Sequence, residues 1–139
     1  MTAPAQRLHL MLVEGAIRFG RQAEEALRCG NQAVAAGPLM RVVEIVGELL
    51  AGVRKPQSEI NSKLAELYLF LFRRASEAKI NADAGALAEV LRLLDYERET
   101  WQLVCDKLGG AGGPPMAAQS QAMGAIRPPV SQPGISLEA

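Results

Sequence analysis

The side chains able to do acid–base, nucleophilic or metal chemistry are few: one histidine, His9, two cysteines, Cys29 and Cys105, and carboxylates interleaved with arginines. A zinc or di-iron bundle needs converging histidines and carboxylates, and there is no Glu-x-x-His pair. No glycine loop able to cradle a phosphate is placed between a strand and a helix, because the glycines after residue 108 fall in a repetitive stretch. Phosphotransfer on a helix-borne histidine needs room beside the ring, whereas Leu10, Met11, Leu12 and Val13 follow His9 directly. His9 therefore reads as a surface or boundary residue. Without a short paired spacing, Cys29 and Cys105 read as inert thiols in a reducing compartment. Glu24, Glu25, Glu97 and Glu99 lie near Arg21, Arg28 and Arg98 and read as solvated or paired helix-surface charge. No nucleophile, base and orienting group come together, so no catalytic residue, cofactor or metal is expected, and the function sought is binding rather than catalysis.

The elements carrying these residues follow from composition and punctuation. The chain of 139 residues suits one domain, and its fifteen Lys plus Arg balance fifteen Asp plus Glu. That balance provides no field to draw it onto nucleic acid or an anionic membrane. Aromatic residues make up 4% of the chain against 49% hydrophobic residues, a composition that favours helices over strands. The opening MTAPAQRLHLML lacks the pattern of a signal peptide, and no apolar run suffices for membrane insertion, so a cytoplasmic location is expected. Breaks at Gly30-Asn31 with Gly37-Pro38, at Lys55 to Ser58, and at Asn81 to Asp83 divide residues 1–108 into four helices with short links. The expected fold is all-α, an antiparallel up-down four-helix bundle that stands alone as a monomer. Residues 109–139, with GGAGGPP, PPV and QPG, are expected to form a disordered Gly/Pro-rich C-terminal tail.

Helix 1 is expected from about Pro4 to Cys29, capped by Thr2, with Leu8, Leu12, Ala16, Phe19, Ala23 and Leu27 inward. Helix 2 is placed from Pro38 to about Val53, apolar at Leu39, Val42, Val43, Val46, Leu49, Leu50 and Val53. Helix 3, from about Ser58 to Ala78, turns Ile60, Leu64, Leu67, Leu71, Ala75 and Ala78 to the core. Helix 4 follows an Asp83 cap and carries Leu87, Val90, Leu91, Leu94, Trp101, Cys105 and Leu108, with the Arg98 stem packing beside that stripe.

Helix 3 has more apolar surface than one stripe uses. Within LYLFLF, and at about 100° per residue, Ala65, Leu69 and Phe72 share a flank beside the core line. On helix 2, Ile45 lies to one side of Val42, Val46 and Leu49, and Gly52 permits close approach nearby. Ile45, Leu49, Ala65, Leu69 and Phe72 are the candidate binding residues, forming a groove for a partner helix. The alternative is a structural or regulatory bundle that dimerises through the same helix 3 stripe.

The order of these segments resembles the FliS family of flagellin export chaperones over nearly all of residues 2–106. TAPAQRL at Thr2–Leu8 and LVEGAIRF at Leu12–Phe19 are similar to the family's Thr-Ala-Ser-Pro and Leu-Tyr-Asp-Gly-Ala-Ile runs. VVEIVGELL at Val42–Leu50 follows, then KLAELYLFLFRRASEAK at Lys63–Lys79 with the family's Leu-x-x-Leu-Tyr pattern and paired arginines. Asp83 and LAEVLRLLDYERETWQLV at Leu87–Val104 complete the match with a late tryptophan. The chain departs from the pattern at Val13, where the family commonly has tyrosine, and in having no arm before Thr2 to fold over the groove. The resemblance implies binding of the unstructured C-terminal segment of flagellin, which blocks premature polymerisation, and delivery to the flagellar export gate.

Overall fold

A computed structural model describes residues 4–53 and 59–110. They form α1 (Ala5–Arg28), α2 (Gln32–Val53), α3 (Glu59–Asn81) and α4 (Ala84–Gly110), with no strand among the described residues. Met1–Gln102 make one compact unit and Leu103 onward a second, whose described residues are the closing turns of α4. The proposed cap Thr2, the break at Lys55 to Ser58, the Ile60 side chain and residues 111–139 lie outside what is described.

Side-chain pairs fix the topology. Phe19 faces Arg41 across α1 and α2, Gly47 meets Phe72 across α2 and α3, Arg74 bonds Glu89 across α3 and α4, and Gly20 meets Leu91 across α1 and α4. Gly15 approaches Ile45 on α2, ahead of the Phe19–Arg41 pair, and Tyr68 bonds Glu97 on α4, so numbers rise along one helix as they fall along the next. This is the antiparallel up-down bundle.

Helix boundaries follow from backbone hydrogen bonds and caps. Pro4, at φ −64° and ψ 157°, is the N-cap of α1 rather than a member of its first turn. At the other end Gly30 takes a left-handed φ of 75°, which lets Gly30 N–H reach Leu27 O at 3.0 Å and Asn31 N–H reach Ala26 O at 2.8 Å. Asn31 then turns its side chain forward, and Oδ1 accepts Val34 N–H at 3.1 Å. The cap starts α2 at Gln32, six residues before the Pro38 expected from the sequence. Proline lacks the N–H for the Val34 carbonyl, but Val34 is exposed and water can satisfy that acceptor. Asp83 caps α4 as its sequence indicates, with Oδ1 accepting Ala86 N–H at 3.1 Å.

The expected core stripe of helix 1 needs correction. Leu10, Val13, Gly15, Ala16, Gly20, Ala23 and Ala26 are buried, whereas Leu8 is 44% exposed and Leu12, Phe19 and Leu27 are partly buried. The reason is close approach: a Cβ on Gly20 would lie 2.6 Å from Leu91 Cδ2. The helix turns its small residues to its neighbour and leaves larger apolar side chains to flank the seam. In α2, α3 and α4 the expected lines hold at Leu39, Val42, Val46, Leu49, Leu50, Val53, Leu71, Ala75, Ala78, Leu87, Val90, Leu91 and Leu94.

Candidate functional site

The candidate binding residues divide by depth. Ile45, 8% exposed, and Leu49, 1% exposed, belong to the main core cluster. Ile45 also faces α1, its Cδ1 lying 3.6 Å from the position of a Gly15 Cβ. Ala65, Leu69 and Phe72 are partly buried and pack against the margin of the same cluster. The Phe72 ring lies over Gly47, where a Cβ would meet it at 3.4 Å. Ala65, Leu69 and Phe72 on α3 thus all pack against the cluster to which Ile45 and Leu49 of α2 belong. Glycine at 47 leaves room for the aromatic ring at the α2–α3 seam.

A second feature was not evident from periodicity. Tyr68 is completely buried and its hydroxyl donates to Glu97 Oε1 at 2.7 Å. That hydroxyl has one proton, so the 2.7 Å contact with His9 Nε2 requires the imidazole to donate, which assigns the neutral tautomer bearing Nε2–H. Trp101 Nε1–H donates to the same carboxylate oxygen at 3.2 Å, and its ring lies 4.0 Å from the His9 ring, centroid to centroid. The expectation that Glu97 is solvated or paired surface charge is therefore wrong. Glu97 is 9% exposed and is satisfied by neutral donors on α3 and α4.

Burial sets the proton affinities of this network. Desolvation raises the Glu97 carboxyl above the usual range, and the Tyr68 and Trp101 hydrogen bonds draw it part of the way back. Burial, reinforced by the Glu97 charge, raises the Tyr68 phenol. Burial lowers His9 from 6.5 to about 4, so the imidazole is neutral at pH 7. His9 is part-buried and belongs at the boundary rather than on the open surface.

The remaining reactive types are unremarkable. Cys105 is buried, while Cys29 is exposed with its thiol donating to Glu25 Oε2 at 3.6 Å, beside the Arg28–Glu25 pair. Among the described residues no group of three or more His, Cys, Asp and Glu is placed to hold a metal, and no helix is long and apolar enough to cross a membrane.

Fold and site together define an all-α up-down bundle in which the buried carboxylate of Glu97 is held by Tyr68 and Trp101. The chain belongs to the FliS family, described as flagellar protein FliS, which matches residues 1–108. It is 29% identical over 101 residues to the flagellar secretion chaperone FliS of Bacillus subtilis, covering 73% of this chain and 75% of that one. The flagellar secretion chaperone FliS of Salmonella typhimurium is 31% identical over 109 residues, covering 77% of this chain and 81% of that one. A shorter similarity, 45% over 53 residues, links the chain to the encapsulin nanocompartment cargo protein EncD of Myxococcus xanthus, covering 38% of this chain and 49% of that one.

Proposed function

We propose that this chain is a cytoplasmic, non-catalytic export chaperone that holds the unstructured C-terminal segment of flagellin and delivers it to the flagellar export gate. Membership of the FliS family and the chaperone names of its relatives support the class. The observation that carries the reading is on the α3 flank, where Leu69 and Phe72 remain only partly buried and the Phe72 ring lies over Gly47 of α2. A client helix laid along this seam completes the burial of both side chains, with Ala65 allowing close approach and Leu49 and Ile45 supporting the floor. Burying one such side chain is worth about 1.5–3 kcal/mol, and the client must order itself to gain it. Binding coupled to folding in this way gives a negative heat-capacity change and an affinity low enough to permit release. While covered, the client's apolar face cannot meet another flagellin.

Light scattering after size exclusion tests this reading against self-association through the helix 3 stripe. The proposal requires a free monomer that forms a one-to-one complex with a flagellin C-terminal segment and suppresses flagellin polymerisation at equimolar ratio. A tight dimer indifferent to that segment overturns it.

A further inference from the structure

We infer that the Tyr68 hydroxyl is a positioning group for the client flank: its bonds to Glu97 and His9 fix the rotation of α3 and so the presentation of Leu69 and Phe72. This inference rests on the proposed reading of the α2–α3 seam.

The argument begins with direction. Apolar packing is largely non-directional, so a helix held by Leu71, Ala75 and Ala78 alone can turn or slide by small amounts at little cost. The Tyr68 hydroxyl removes that freedom. It lies on α3, donates to α4 at Glu97 and accepts from α1 at His9, both at 2.7 Å, and therefore ties three helices at one point. Its single proton orders the chain in one sense, from His9 through Tyr68 to Glu97. Trp101 adds a second donor to Glu97 from one turn along α4, which holds the carboxylate in place.

Position on α3 connects this tie to the flank. Relative to Tyr68, at about 100° per residue, Phe72 lies about 40° around the helix, Ala65 about 60° and Leu69 about 100°, all on the same side. Turning α3 about its axis moves all three together. Phe72 carries that turn to α2, because its ring lies 3.4 Å from where a Cβ on Gly47 would sit. A buried network that served stability alone could be replaced by apolar groups without loss. A network that sets orientation could not.

That contrast supplies the test. Tyr68→Phe keeps the ring and removes both bonds, leaving the Glu97 carboxylate buried without its tyrosine donor. Tyr68→Phe/Glu97→Gln then removes the buried charge and keeps an acceptor for Trp101 Nε1–H, restoring stability without restoring the tie. Calorimetric titration of the full chain with a flagellin C-terminal segment is run for wild type and both variants, alongside urea denaturation and emission from Trp101, the single tryptophan. The expected result is about tenfold weaker binding in both variants, the scale of one or two lost hydrogen bonds, with stability recovered only in the double variant. Trp101 emission should shift in both, because the group at position 97 that accepts its Nε1–H loses the Tyr68 hydroxyl. Binding that recovers together with stability, or that never weakens, overturns the inference and leaves the seam reading intact. A wild-type chain that fails to bind the segment overturns the reading and the inference with it.

Discussion

Protonation of His9 is the residue-level event with the clearest sign. Its folded value of about 4 lies below the 6.5 of a free imidazole, so on acidification the unfolded chain takes up the proton first. Stability therefore falls as the pH drops from 6.5 and stops falling below about 4. Glu97 acts in the opposite sense. Its folded value is raised, so the unfolded chain ionises first as pH rises, and acidification through the folded value restores stability. His9→Gln keeps a donor for Tyr68 and removes the imidazole titration. Urea denaturation at pH 7 and pH 4.5 should show the variant losing less stability than wild type, by on the order of 2 kcal/mol. Equal losses in the two proteins would remove His9 from the account. Little of this network was legible in the sequence, because His9 and Tyr68 lie 59 residues apart and Tyr68 and Glu97 29 apart. One signal was available. Glu97 continues the Val90, Leu94, Trp101 register of α4, and a carboxylate on a core line needs donors; residue type outweighed register in reading it as surface charge.

At the scale of elements, the turn between α3 and α4 places Ala82 at φ 50°, a left-handed position usually given to glycine, so that Asp83 N–H reaches Ala78 O at 3.1 Å. Ala82→Gly should relieve that conformation and raise stability by about 0.5–1 kcal/mol, read from the denaturation midpoint. The reverse sign is expected at Gly20, where an added methyl meets the fully buried Leu91. Gly20→Ala gains helix propensity but must displace that side chain, for a net loss of about 1–2 kcal/mol in the same assay. The number of helices and the Asp83 cap could be read from punctuation and apolar spacing. The start of α2 could not, because Gly37-Pro38 resembles a break, and only the Asn31 bond to Val34 N–H shows the helix beginning earlier. The face of α1 was misread for a related reason. Hydrophobic period weights Leu8 and Phe19 above Gly20 and Ala26, whereas close helix contact selects the small residues.

For the molecule as a whole, the family match ends at residue 108, and the stretch after it is rich in glycine and proline. Removing residues 109–139 should therefore leave circular dichroism and the cooperativity of melting nearly unchanged; a broad, lowered transition would give the tail a part in the core. Fold class was legible because four amphipathic segments with short links permit few arrangements. Excess apolar surface on α3 was legible, since spacing separates Leu69 and Phe72 from Leu71, but the depth of Ile45 was not: spacing puts it beside the Val42, Val46, Leu49 line, and only packing shows it to be core. The central claim is that the α2–α3 seam holds the flagellin segment, and Leu69→Asp/Phe72→Asp tests it most directly. Both side chains are partly buried at the core margin, so charges there can stay hydrated in the free bundle but become trapped beneath an apolar client helix. Leu71→Asp, at a completely buried position, is the control that should unfold the domain, with a cost above about 4 kcal/mol. In calorimetric titration with the flagellin C-terminal segment, the wild type should bind one-to-one and the folded double variant at least about a hundredfold more weakly. A double variant that stays folded and binds like wild type would place the client elsewhere, and one that unfolds like Leu71→Asp would make Leu69 and Phe72 core residues rather than a binding surface.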